Sequence, residues 1–282
     1  MKGTIVKAIS GFYYVKSNST VYECKARGVF KNKGITPLVG DEVEFDGAVV
    51  TDILPRRNAF ERPPVANVEV LAIVMAAADP EPSFEILDRF ILTAEEFNTD
   101  VVVCINKCDI ASEEIIKKFK NIYSPIYPTF FISSKTGNGV EEFKNALKGK
   151  CFALAGPSGV GKSSLTNLLL GTEESEVGEI SKKSLRGKNT TRHTELFEGD
   201  GYSVFDTPGF TSFDACVNDE TELDQLFPEF REYIGSCRFD DCRHLEEPDC
   251  AIRKATDNGY ISESRYDSYK KIYKSIIDNR RY

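Results

Sequence analysis

The sequence predicts an α/β fold with a small β-barrel in front of it and a metal-holding, α-rich unit behind it. Three observations carry this prediction. Short strands without a helical period run up to Ile53, strands alternate with helices from Val68 to Phe205, and a Cys/His cluster lies between Cys237 and Cys250. Thr4 to Ile9, Phe12 to Lys16, Thr20 to Lys25, Asp41 to Phe45 and Ala48 to Ile53 are β-rich or alternating, and Asp46-Gly47 is a hairpin signal. Five such strands predict a small closed barrel of the OB type, a shape that binds oligonucleotides or serves as an adaptor without a ligand. The run from Pro55 to Pro64 reads as a linker.

Val68 to Ala77 is continuously apolar, as a parallel strand buried on both faces requires. Ser83 to Phe97 carries Phe84, Ile86, Leu87, Phe90, Ile91, Ala94 and Phe97 at helical spacing, with Ser83 as N-cap. Strands at 101–105, 130–132, 151–155 and 202–205 alternate with helices at 112–121, 140–147 and 162–170, which predicts a doubly wound sheet. After Ala215 the chain turns acidic, passes through the Cys/His cluster and ends in a helix from about Ser262 to Ile277. The expected divisions are a barrel domain at 1–65, an α/β domain at 66–215 and a metal-binding domain at 216–282.

With 282 residues, 41% of them hydrophobic and 28% charged, the chain can bury one good core with two small flanking units. The longest strongly apolar run, Val70 to Ala78, is far short of the ~20 residues of a membrane helix. Neither a secretion signal at Met1-Lys2-Gly3-Thr4-Ile5 nor a lipidation signal at Asn279-Arg280-Arg281-Tyr282 is present, so the expectation is a cytoplasmic protein without a membrane partner. A net charge of −8 excludes coating of nucleic acid by the whole surface. Local basic groups stand out: Lys182, Lys183, Arg186, Lys188 and Arg192 in one segment, Lys25, Arg27, Lys31 and Lys33 in another, and Lys270, Lys271, Lys274, Arg280 and Arg281 at the end. Each is either solvated surface or an RNA contact.

Gly156-Pro157-Ser158-Gly159-Val160-Gly161-Lys162-Ser163 fits the phosphate-loop pattern, placed after a strand and before a helix that continues with Ser164. Its backbone N–H groups and the helix N-terminus favour phosphate. Lys162 supplies a charge to the β- and γ-oxygens, and Ser163 can coordinate Mg²⁺. Asn106-Lys107-Cys108-Asp109 ends a buried strand, where Asp109 can accept two hydrogen bonds from the edge of guanine. Adenine lacks that donor pair, and polar discrimination of this kind reaches ~10⁴-fold. Ser133-Ser134-Lys135, after the next strand, is the companion run that closes over the base. In Asp206-Thr207-Pro208-Gly209, Asp206 reaches the metal through water and the Gly209 N–H contacts the γ-phosphate. Phe210 follows, where many GTPases carry the glutamine that orients water, so slow intrinsic hydrolysis of GTP to GDP is expected. One of Thr190 and Thr191 is the expected switch threonine on Mg²⁺, with Thr191 as the candidate. The adjacent His193 positions water, contacts RNA or has no role. The base-reading run precedes the phosphate loop, the reverse of the usual order, which identifies the α/β part as a circularly permuted P-loop GTPase domain.

Of eight cysteines, Cys24, Cys104, Cys108, Cys151 and Cys216 are scattered singly, as small buried hydrophobes are. Cys237-x₄-Cys242-x-His244-x₅-Cys250 places four soft ligands together, a set suited to one structural, tetrahedral Zn²⁺ in a reducing compartment.

Together these motifs resemble the ribosome small-subunit-dependent GTPase A family of bacteria. The resemblance covers the permuted motif order, the Cys/His finger, Leu87-Asp88-Arg89-Phe90 and the switch run Thr190-Thr191-Arg192-His193-Thr194, hence essentially the whole chain. The segment from Arg186 to His193 departs from the family's usual richness in Gly and His. The resemblance implies an OB-fold, a permuted GTPase core and a C-terminal zinc domain. It further implies binding to the 30S ribosomal subunit and its 16S rRNA, a role in late maturation, and hydrolysis stimulated by the particle. A monomer with no DNA partner is expected. Two other readings stay open: an RNA-binding scaffold whose hydrolysis is incidental, and a GTP-dependent metallochaperone or trafficking switch.

Overall fold

The computed structural model describes residues 1–28, 30, 34–171, 194–206 and 220–279. Lys31, Lys33, Cys216, Arg280 and Arg281 lie outside the described residues. Strands β1 (Lys2–Ile9), β2 (Phe12–Ser17), β3 (Thr20–Ala26), β4 (Glu42–Phe45) and β5 (Val49–Ile53) pair in the order β1-β2-β3-β5-β4. β4 returns to β1 and closes an OB-like barrel. Alternation along the strands turns Ile5, Val15, Cys24, Val43, Phe45 and Val50 inward, each at most 2% exposed. Closure pairs the strands all round, so the barrel itself keeps no open edge.

The Pro-rich run is packed chain rather than a free linker. Arg56 holds the buried carboxylate of Asp41 with a two-pronged contact at 2.7 and 2.8 Å, because a buried charge needs a charged partner. Asn58 bridges the Val68 carbonyl at 2.8 Å, the Val68 N–H at 2.9 Å and the Thr99 hydroxyl at 2.9 Å. A short ribbon, β6 (Ala59–Phe60) with β7 (Val65–Ala66), completes the segment.

The α/β part contains β8 (Val70–Ala76), α1 (Phe84–Glu96), β9 (Asp100–Asn106), α2 (Glu113–Tyr123), β10 (Thr129–Phe131), α3 (Val140–Ala146), β11 (Cys151–Ala155), α4 (Lys162–Leu170), β12 (Glu195–Glu198) and β13 (Ser203–Asp206). Ser83 and Ser112 cap α1 and α2 by accepting from the N–H groups of Ile86 and Ile115. The sheet runs β10-β9-β8-β11-β13-β12, parallel except for β12. Every residue of β8 is buried, and its alternation feeds two cores. Leu71, Ile73 and Met75 join the core that includes Phe90 of α1 and Phe119 of α2. Val70, Ala72 and Val74 join the core that includes Phe143 of α3 and Leu165 of α4.

The chain leaves β8 outward to β9 and β10, then returns to β11 on the other side of β8. Ligands of such sheets bind at the carboxyl ends of the strands where the order reverses. The phosphate loop starts there, at the end of β11. No strand is expected from the sequence at 195–198, where the structure places the short, partly exposed run Glu-Leu-Phe-Glu as β12. Its place comes from pairing: β12 lies antiparallel to β13 and meets β1 at Lys7 and Glu195, which joins barrel and α/β sheet into eleven strands.

Behind the sheet, turns of 3₁₀ helix at Leu223–Leu226 and Pro228–Phe230 precede α5 (Ala251–Asp257) and α6 (Glu263–Asn279). Leu223, Phe227, Phe230, Ile252, Ile272 and Ile276 form a third core, which Leu92 of α1 joins. Among the described residues no helix is long and apolar enough to cross a membrane.

Candidate functional site

Asn106, the last residue of β9, is fully buried and joins three loops. Its Nδ2 donates to the Val160 carbonyl at 2.9 Å and to the Ser134 hydroxyl at 3.1 Å. Its Oδ1 accepts from the N–H groups of Lys107 at 2.8 Å and Ser134 at 2.9 Å. All four hydrogen-bonding positions of the amide are therefore used. The candidate base-reading run, its companion and the phosphate loop are thus locked to one side chain. Two glycines permit this approach. Gly161 has φ +95°, and a Cβ there would collide with Asn106 Nδ2. Gly156 has φ +137°, and a Cβ there would collide with the Val74 carbonyl.

The other candidates arrange themselves around this joint. Asp109 and Lys135 are exposed at its rim, Ser158 and Gly159 are exposed on the phosphate loop, and Pro157 is half-buried. Ser163 is exposed and Ser164 half-buried in the first turn of α4. Ser133 is buried and its hydroxyl accepts from the Thr136 N–H at 3.1 Å, which shapes the companion loop. The ammonium of Lys107 donates to the Asp79 carbonyl. Cys108 donates to the Ile105 carbonyl at 3.2 Å, and burial pushes its thiol up to about 11, so it stays protonated and serves as packing. Asp206 is half-buried at the end of β13. Thr190, Thr191, His193, Thr207, Pro208, Gly209 and Phe210, with the basic group Lys182, Lys183, Arg186, Lys188 and Arg192, lie outside the described residues.

Lys162 folds back over its own loop, donating to the Gly156 and Pro157 carbonyls, each at 2.6 Å. Burial lowers its pKa to about 8. A phosphate brought to the loop favours the ammonium, so the complex keeps this proton to higher pH than the free protein. Nucleotide affinity is therefore expected to fall above pH 8, by at most about tenfold per pH unit, with proton uptake on binding. Calorimetry of GDP binding between about pH 7 and 9, in buffers of different ionisation enthalpy, checks this. Affinity independent of pH, with no proton exchange, would contradict it. Against the unfolded chain, where lysine titrates near 10.4, the sign is opposite. The unfolded state holds the extra proton, so this group adds stability as pH rises from about 8 to about 10.4.

The second centre lies in the C-terminal unit. The ligand atoms of Cys237, Cys242, His244 and Cys250 all lie within 4.8 Å of one another. His244 Nδ1 stands 3.5 Å from both Cys237 Sγ and Cys250 Sγ, and those two sulfurs are 3.9 Å apart. A tetrahedron with metal–sulfur bonds of about 2.3 Å has sulfur–sulfur edges of about 3.8 Å, so the set fits a closed Cys₃His centre. Its supporting residues carry no motif. Asp224 Oδ2 meets His244 Nε2 at 3.2 Å, the Tyr266 hydroxyl donates to the His244 carbonyl at 2.7 Å, and the Tyr269 hydroxyl donates to the Arg243 carbonyl at 2.8 Å. A carboxylate on the far nitrogen orients a ligating histidine. Asp224 lies twenty residues before His244, and the tyrosines sit more than twenty after the finger's start, so spacing offers no signal for them.

Comparison with known proteins places this geometry. The profile described as the RsgA GTPase matches residues 53–216, and that of the RsgA N-terminal domain matches residues 2–51. The chain is 41% identical over 304 residues to the small ribosomal subunit biogenesis GTPase RsgA of Agathobacter rectalis, covering all of both chains. It is 43% identical over 287 residues to the protein of the same name from Clostridium acetobutylicum, again covering all of both. Among solved structures, YjeQ from Thermotoga maritima superposes with a TM-score of 0.85 at 35% identity over 98% of each chain. YloQ, described as a circularly permuted GTPase, gives 0.82 at 36% identity over 99% of this chain and 95% of that one.

Proposed function

Since the chain belongs to the RsgA GTPase family, we propose that it serves maturation of the small ribosomal subunit. It binds the 30S particle, contacts 16S rRNA, assists a late assembly step and hydrolyses GTP with stimulation by the particle. The observation that carries this reading is the meeting of three nucleotide loops on Asn106, in a chain flanked by a barrel and a metal unit. The assigned units are a barrel domain at 1–65, the GTPase at 66–215 and the metal domain at 216–282.

In this reading Asp109 accepts the donor edge of guanine, while Ser133, Ser134 and Lys135 form the loop that covers the base beside Lys107. The amides from Gly156 to Gly161 cradle the phosphates, and Lys162 leaves its backbone carbonyls for the β- and γ-oxygens. Ser163 and Thr191, with Asp206 through water, would hold Mg²⁺, which when bound neutralises charge on the phosphates. The role assigned to the Gly209 N–H is contact with the γ-phosphate, and that assigned to His193 is orienting water or contacting RNA. Cys237, Cys242, His244 and Cys250 hold a structural Zn²⁺. The protein works in the cytoplasm as a monomer, without membrane or DNA.

Phe210 follows Gly209 in sequence, where many GTPases carry the water-orienting glutamine, so the water is positioned by another group or by the partner. GTP turnover is expected to be slow alone and to rise on the order of 10²-fold or more with purified 30S particles, within the range a partner supplies to other GTPases. Steady-state phosphate release with and without 30S tests this. Equal rates would overturn the proposal.

A further inference from the structure

We propose that Arg265 is a positioning residue that fixes the C-terminal metal unit in one orientation on the GTPase, through a buried ionic staple to Asp88. Asp88 lies in the Leu87-Asp88-Arg89-Phe90 stretch of α1, and its partners Tyr123 and Arg265 lie outside the nucleotide loops. Leu87, Phe90 and Ile91 on the same helix enter the GTPase core. Asp88 instead meets Arg265 of α6, Nη1 to Oδ1 at 2.7 Å, and both side chains have 0% exposure. Arg265 also grips Glu229 with Nε at 2.6 Å and Nη2 at 3.2 Å, and its guanidinium lies 4.6 Å from the Phe227 ring centre. The Tyr123 hydroxyl of α2 donates to the same Asp88 oxygen at 2.9 Å. One cation therefore ties α1, α2, α6 and the 228–230 turn together.

Around this centre lies a weaker rim. Arg231 meets Glu95 at 2.8 Å, Arg89 meets the Ser275 hydroxyl at 3.3 Å, and Lys271 stands 4.0 Å from Glu85. Such partly solvated pairs contribute little. Leu92 adds an apolar contact to the unit's core. Apolar burial is non-directional and tolerates sliding. The fork on Glu229 fixes the guanidinium within the unit and aims its Nη1 at Asp88, and removing either charge of that crossing pair strands the other away from water. Buried ion pairs can be replaced by apolar side chains at little loss of stability, so this one specifies register more than it stabilises. Its consequence for function rests on the ribosomal reading above: barrel and metal unit meet the particle in a set relation.

The test uses the full chain, with spin labels introduced through non-natural amino acids at the exposed positions Lys120 and Tyr260, which spares the cysteines. Distances are measured by double electron–electron resonance in wild type and in the Asp88→Leu/Glu229→Gln/Arg265→Met variant. The variant is expected to keep its metal and its unstimulated GTPase rate, while its distance distribution broadens at least about twofold and stimulation by 30S falls about tenfold. A distribution as narrow as wild type overturns the proposal. If the variant loses its metal, Arg265→Lys carries the same test, since it keeps the charge and loses the fork on Glu229 that aims it at Asp88. Absence of 30S stimulation in wild type would defeat the ribosomal reading and leave the distance measurement intact.

Discussion

Asn106→Ala is expected to weaken guanine-nucleotide binding by about 10²- to 10³-fold. The alanine leaves the Val160 carbonyl without its partner in a buried position, and the Ser134 hydroxyl and the N–H groups of Lys107 and Ser134 without theirs in partly buried ones. Each stranded group costs about 1–3 kcal/mol, and three to four of them at about 1 kcal/mol each account for the loss. The damage falls on loop geometry, because the apolar cores on either side of the sheet remain in place. Melting temperature is therefore expected to move less than affinity. Asn106→Asp separates the two halves of the joint: it keeps an acceptor for the N–H groups but turns a carboxylate towards the Val160 carbonyl. It is expected to bind at least as poorly as alanine. Titration with a fluorescent GDP analogue, alongside thermal melts, reads both variants. Wild-type affinity in Asn106→Ala would remove the joint from the account.

Cys250→Ala is expected to abolish tight metal binding and to unfold the unit from Glu220 to Asn279. Structural zinc in small fingers contributes about 10–16 kcal/mol of apparent binding energy, far more than a core of this size supplies alone. Ile252 and Ala255 of α5 follow Cys250 directly, and Tyr266 and Tyr269 hang on carbonyls of the finger, so loss of the centre releases both helices. Nucleotide binding is expected to persist, because Asn106 and the phosphate loop are held by bonds within the α/β part. Metal analysis, far-UV circular dichroism and limited proteolysis, each with GDP titration, check the split. A protease-resistant C-terminal unit without metal would refute the structural role. Asp224→Ala makes the graded control: it removes only the carboxylate that orients His244, and metal affinity is expected to fall about 10- to 100-fold with the fold retained.

Much of this architecture is legible in short windows of sequence. The strictly apolar stretch of β8, the capping serines of α1 and α2 and the glycine spacing of the phosphate loop are local signals, and the structure places each within a residue or two of its expected position. The candidate metal ligands gather as their spacing predicts. The site residues with no local signal are those whose role is a distant contact. Asn106 is visible as part of a motif, yet its tie to Val160 spans 54 positions. Asp224 looks like one more acid in an acidic stretch, and Glu195 like the start of a loop.

What the chain order alone determined is the set of elements, the permuted order of the nucleotide motifs and the make-up of the metal finger. Periodicity, capping and ligand spacing act over a few residues and survive in any window that contains them. Tertiary structure alone decided that the Pro-rich run is packed, that β12 welds the barrel to the sheet, that one amide joins three loops, and that Arg265 is buried against a carboxylate 177 residues away. Burial and partner choice arise when distant segments exclude water from between them, and the strength of a charge or hydrogen bond depends on that exclusion.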